Sequence, residues 1–201
     1  AKSLAPGADG RWPGVESASA FSLVDAGVTL NAQDREEVRA DAERLLRSIS
    51  SGLLSTVDEN GQPEASYAPF VRLPDNAFYI YVSQLARHTG NLMTHARAGL
   101  LLIEDEGTAQ QIFARRRMTF RCEAEVVERQ SPHWVDVLDL FGSKFGAVVE
   151  MIRPLEDFVL FRLTPRGGTF VKGFAKAYRF EGAELETLRH VNDMGHRRTS
   201  G

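Results

Sequence analysis

Beginning at residue 31, the apolar positions recur at helical spacing. Val38, Ala42, Leu45, Leu46 and Ile49 fall at i, i+4, i+7, i+8 and i+11, which is one face of a helix. Asn31 is placed to cap that helix, Asp34, Glu36 and Glu37 sit where the positive end of its dipole favours them, and Gly52 is placed to stop it. The period then shortens. Leu53–Val57, Glu64–Leu73 and Phe78–Val82 read as strands, separated by turn signals at Asp58–Gly61 and Pro74–Asn76. Residues 85–95 read as a short helix with Leu85, Leu92 and Met93 as its apolar points, and Gly99–Glu104 as a central strand. Residues 110–128 predict a strand pair or one bent strand. Within it Met118, Phe120, Cys122, Ala124 and Val126 alternate with Thr119, Arg121, Glu123 and Glu125, giving one dry face and one polar face. Helical spacing returns over 132–152, with Gly142 as a break. Strands follow at Asp157–Thr164, Thr169–Val171 and Phe174–Phe180, with Gly167–Gly168 turning the first pair, and Ala183–His196 begins as a helix. This order predicts an α+β fold with a mostly antiparallel sheet, closed or split as a barrel of six or more strands with peripheral helices. Three parts are expected: an N-terminal arm over 1–30, a barrel domain over 31–182 and a C-terminal tail over 183–201.

Composition narrows the classes. Of 201 residues, 43% are hydrophobic and 25% charged, which excludes wholesale disorder and collagen-like structure. The net charge of −3 supplies no field for holding nucleic acid without sequence preference. Yet 20 of the 24 basic residues are Arg, the planar binder of phosphate and carboxylate, so local anion sites remain open. One cysteine, Cys122, makes neither an internal disulfide nor a zinc cluster and suits a reducing compartment. The longest apolar stretch, Gly99–Ile103, is far short of the roughly 20 residues of a membrane span, and the first residues lack the apolar core of a signal peptide. A cytoplasmic protein without nucleic-acid or membrane partners is expected.

Two segments carry candidate chemistry. In FYIYVSQLARHTGNL a strand ends at Ser83 and a helix begins within a few residues; Ser83, Arg87, His88 and Thr89, with free N–H groups at a helix start, form a potential phosphate pocket. The same residue types also serve as ordinary caps on a surface helix. The second segment is Arg115–Arg117, where alternation sends Arg116 to the face opposite Arg115 and Arg117. Glu104–Glu106 reads as a solvated turn that partners those arginines, since no His lies at metal-ligand spacing. Among five histidines there is no HExxH; His190 and His196 lie in a polar tail that can supply an axial ligand to haem iron if it folds over a pocket. Neither GxSxG nor GxxxxGK occurs, so hydrolase and NTPase readings have no support.

The segments SQLARHTGNL, LLIEDEGTAQQIFARRRMTF and FRLTPRGGTFVKGFAKAYRFEG resemble haem-utilisation proteins of the HugZ/HutZ type, within the FMN-binding split-barrel superfamily that includes pyridoxamine 5′-phosphate oxidase. The resemblance spans roughly residues 33–182. It implies a six-stranded split barrel and a homodimer with the cofactor site at the interface. The oxidases grip the flavin phosphate with a Ser-Arg-Lys segment that corresponds to Ala86-Arg87-His88 here, followed by Thr89. Their flavin-proximal Gln corresponds to Arg117, preceded by Arg116, and their strand Arg to Ser66 in Ser66-Tyr67-Ala68. The expectation is an FMN-binding oxidoreductase, with Arg87, Thr89 and Arg117 on the phosphate. The alternatives are a haem b protein that stores or opens haem through His190 or His196, and a structural relative without a cofactor.

Overall fold

A computed structural model describes residues 31–174, 176–182 and 189–190. The chain runs α1 (Ala32–Ser48), β1 (Ser51–Val57), β2 (Pro63–Arg72), β3 (Phe78–Ser83), α2 (Arg87–His95), β4 (Arg97–Ile103), β5 (Arg117–Val126), α3 (Pro132–Phe145), α4 (Ala147–Ile152), β6 (Phe158–Gly173), β7 (Lys176–Glu181) and β8 (Arg189–His190). All pairings are antiparallel, in the order β3-β2-β1-β4-β5-β6-β7-β8. A further pairing of β3 with β6 closes the first six strands into a barrel. The α+β split barrel expected from the sequence is the observed fold.

Two apolar cores explain which residues form which element. Inside the barrel, Leu54, Phe70, Phe78, Ile80, Leu100, Leu102, Met118 and Phe120 converge, plugged by Val38, Ala42, Leu45 and Leu46 of α1. Outside it, Tyr79, Tyr81 and Leu160 pack against Trp134, Val137, Leu138 and Phe141 of α3. Strand β3 lies between the two cores, which is why its sequence FYIYV is apolar on both faces rather than alternating. Cys122 is buried within the barrel, and burial pushes its thiol up to about 12, so it is a packing residue. Asn31 caps α1 by accepting the Asp34 N–H at 2.8 Å, and Ser131 caps α3 by accepting that of Trp134.

Several local expectations are corrected. Gly52 does not stop α1, which ends at Ser48; it lies in β1, where a Cβ would meet Leu100 at 2.5 Å and Leu102 at 2.7 Å. Helix α2 begins at Arg87, so Leu85 lies ahead of it and is exposed, and of the three expected apolar points only Leu92 is buried, Met93 also being exposed. Strand β5 begins only at Arg117, because residues 106–108 and 112–114 form single 3₁₀ turns, and Val126 at its end is exposed. The helix break falls at Gly146, whose φ of 74° ends α3, and not at Gly142. Gly167–Gly168 is not a turn. β6 runs straight through it with a bulge against Arg121–Cys122, and a Cβ on Gly168 would lie 1.9 Å from the Thr119 carbonyl oxygen. Arg189–His190 pairs as a strand with Tyr178–Arg179, and the helical start expected of Ala183–His196 lies outside the described residues. The arm (1–30), the start of the tail (183–188) and His196 lie outside the described residues. No helix among the described residues is long and apolar enough to cross a membrane.

Candidate functional site

The handover from β3 to α2 is built by hydroxyl groups. Ser83 Oγ donates to Asp157 Oδ2 at 2.7 Å and accepts the Leu85 N–H at 3.1 Å. Thr89, only 1% exposed, donates from Oγ1 to the Ser83 carbonyl at 2.6 Å. Both hydroxyls of the predicted phosphate pocket are thereby engaged, Thr89 in fastening the helix to the strand and Ser83 in fastening the strand end to Asp157. Arg87 is 84% exposed and its guanidinium stands 3.9 Å from the Glu64 carboxylate. Within one chain Arg87 and Thr89 do not converge on a common point.

Helix α2 lies over β1 and β2, tied there by Asn91 Nδ2 donating to Thr56 Oγ1 at 3.0 Å. His88 is buried, with Nε2 lacking a hydrogen-bond partner; burial pushes its pKa down, and the nearby Glu64 carboxylate only partly opposes this. Ser66, paired with Leu54 across β1–β2, also has a buried Oγ without a partner. Ala68 is buried in the barrel core. Tyr67, between them, turns to the outer face and is 64% exposed opposite Leu53, itself 48% exposed. Registers carry that outer row from Tyr67 through Leu53 and Leu101 to Thr119. Arg117 follows on the same face of β5, opposite Ile103.

The arginine triplet is largely neutralised from within. Arg116 donates from its backbone N–H (2.7 Å) and from Nε (2.6 Å) to the two carboxylate oxygens of Glu104. Arg115 donates to the Glu104 carbonyl and to the Glu106 carboxylate. Asp105 and Glu106 are exposed, as expected of a solvated turn, but Glu104 is buried and clamps the arginines. Burial opposes its ionisation, but the hydrogen bonds and charge of Arg116 more than offset that and hold its pKa below the usual value. Arg117 donates only to the Arg115 carbonyl at 3.0 Å and has no carboxylate partner among the described residues.

The predicted site residues therefore form two groups. Ser66, Ser83, Arg87, His88 and Thr89 gather around α2; Arg116 and Arg117 lie on the far side of β1 and β4. Three strand spacings, roughly 15 Å, separate β2 from β5. Sequence reasoning missed Glu64 and Asp157, while the pairing of Glu104–Glu106 with the arginines is as expected. The period-two alternation that puts Glu64 on the face of Ser66 is the one local signal that marks either missed residue.

These positions bear on what the site can hold. A dianionic phosphate at Arg87 would face the Glu64 carboxylate and find neither hydroxyl free. An outer face with exposed Leu53 and Tyr67, and an arginine at its margin with unspent donors, suits a flat apolar body bearing carboxylates. Among the described residues no cluster of His, Cys, Asp and Glu has metal-binding arrangement. His190 stands in β8, in register with Tyr178.

The family model for pyridoxamine 5′-phosphate oxidase matches residues 38–172. The chain is 43% identical over 147 residues to the haem oxygenase HutZ of Vibrio cholerae, covering 73% of this chain and 82% of that protein. Among solved structures it is similar to HutZ from V. cholerae, described as a haem storage protein, with a TM-score of 0.64 and 36% identity over 74% of this chain and 98% of that one. It is also similar to ChuZ from Campylobacter jejuni, with a TM-score of 0.73 and 30% identity over 82% of this chain and 66% of that one. A haem-binding protein from Mycobacterium smegmatis, 21% identical with a TM-score of 0.65 over 75% of this chain and 60% of that one, shares the fold.

Proposed function

The chain belongs to the pyridoxamine 5′-phosphate oxidase family, and from that premise we propose that it is a haem-binding protein of haem utilisation, a homodimer holding haem b in the cleft between its copies. The observation that carries this reading is the 43% identity to a haem oxygenase across 73% of the chain. It favours haem over the flavin reading drawn from the sequence, and the engaged hydroxyls of Ser83 and Thr89 point the same way.

The residues divide the work. Arg117 and Arg87 orient the propionates through charge-assisted hydrogen bonds, the more so because Arg117 has no carboxylate of its own to satisfy. Leu53 and Tyr67 offer apolar ground to the macrocycle and exclude water once a second copy covers them. His190 or His196 holds the iron through a neutral imidazole. Bound haem supplies the redox-active iron; the chain supplies position and dielectric.

A titration of purified protein with haem tests the proposal. We expect a saturable Soret band that shifts or disappears in His190→Ala or His196→Ala, and a several-fold weaker affinity in Arg117→Gln. Incubation of the loaded protein with a reductant and oxygen separates the two activities: bleaching of the Soret band marks haem opening, its persistence marks storage. FMN titrated in parallel is expected to leave its fluorescence unchanged. Tight FMN binding with no Soret response would restore the flavin reading, which the absence of a side-chain cap on α2 at Ala86 favours. A melting temperature moved by neither ligand would leave a structural relative without a cofactor.

A further inference from the structure

The C-terminal end of α1, the end of β2 and α3 line an open cavity of about 510 Å³, within the range of small-molecule sites. Its apolar lining is Leu46 of α1, Ile49 just past that helix, Phe70 of β2 and Leu140 of α3. Its rim is cationic. Arg72 is neutralised by Glu43, to which it donates at 2.8 and 2.9 Å. Arg47 is not held in the same way: it is 83% exposed and 3.9 Å from that same carboxylate.

Lys144 is the distinctive group. Its ammonium donates to the Phe70 carbonyl at 2.9 Å and sits 4.8 Å and 5.3 Å from the ring centroids of Phe70 and Phe145. Among the described residues no carboxylate pairs with it. An ammonium that is partly desolvated and pinned over two aromatic faces by one hydrogen bond retains two unspent donors. Burial also pushes its pKa down, with no anion nearby to oppose the shift. A single negative charge presented beside an apolar body complements this cavity on both counts.

We propose that this cavity is a second ligand site, which takes a small amphiphilic carboxylate with its head on Lys144 and Arg47 and its apolar body against Leu46, Ile49 and Leu140. It is independent of the haem reading. Decanoate titrated calorimetrically into the full chain, haem-free and haem-loaded, is the test, with decyltrimethylammonium as the cationic control. Saturable binding of decanoate alone is expected in both forms. Lys144→Met keeps an apolar stem over the rings and is expected to weaken it at least about tenfold, and Leu140→Trp, which fills the cavity, to abolish it. Both variants are expected to keep the parent's melting temperature within a few degrees and its haem titration. Equal affinity for the cationic amphiphile, no saturable heat, or an unchanged Lys144→Met affinity overturns the proposal. So does displacement of decanoate by haem, which would assign the cavity to the haem cradle, or dissociation of a dimer in Leu140→Trp without decanoate binding, which would assign it to a second copy.

Discussion

His88 and Glu104 are buried groups that tie stability to pH. Burial holds the His88 imidazole below its ordinary pKa, so in the acid direction the unfolded chain takes up a proton that the native state declines. Stability is expected to fall as pH drops through about 6.5, the ordinary imidazole value. Glu104 has a depressed carboxylate pKa, so its contribution is present above the ordinary carboxylate range and is lost as pH falls through the lowered value. Urea midpoints against pH are expected to show the first loss flattened in His88→Leu and the second in Glu104→Gln. Thr89→Val removes a buried hydrogen bond to the Ser83 carbonyl and is expected to cost about 1 kcal/mol by urea denaturation; no change would mean the hydroxyl does not anchor α2. The residue types at this junction were legible in the sequence, because Ser83, Arg87, His88 and Thr89 crowd one strand-to-helix link. Their commitments were not. That Asp157 takes the Ser83 hydroxyl depends on β3 pairing with β6, and that Arg87 stands opposite Glu64 depends on α2 folding over β2.

At the level of elements, apolar periodicity located α1, the strands of the first meander, β5 and α3, since each buries one continuous face against a single core. It failed where glycine was read as punctuation. Both Gly52 and Gly168 sit inside strands, and at Gly168 the neighbouring backbone approaches too closely for a side chain, a cause visible only in three dimensions. Gly168→Ala is therefore expected to destabilise by more than about 3 kcal/mol, since its Cβ would overlap the Thr119 carbonyl and the strand cannot yield without breaking its ladder. Gly173→Ala, with nothing within 4 Å of its Cβ, is the matched control and is expected to change stability by less than about 1 kcal/mol. Thermal melts of the pair test this; comparable losses would mean that entropy, and not close approach, governs the glycines.

For the molecule as a whole, the outer face of β1 and β2 leaves Leu53 and Tyr67 uncovered. If the proposed dimer covers that face, Leu53→Asp and Tyr67→Asp are expected to sediment as monomers and to lose haem affinity together, whereas dimeric variants would place the interface elsewhere. The barrel itself was legible from strand count and connection lengths, but its closure was not, because nothing local in Phe78–Ser83 marks Phe158–Leu163 as its neighbour. That closure governs how the chain is made. Strand β3 leaves the ribosome some eighty residues ahead of the segment that seals its free edge, and β5 waits on the same segment. Until β6 emerges, the nascent chain exposes two open strand edges with apolar side chains between them, so synthesis stalled before Phe158 yields an aggregation-prone fragment in place of a smaller folded domain.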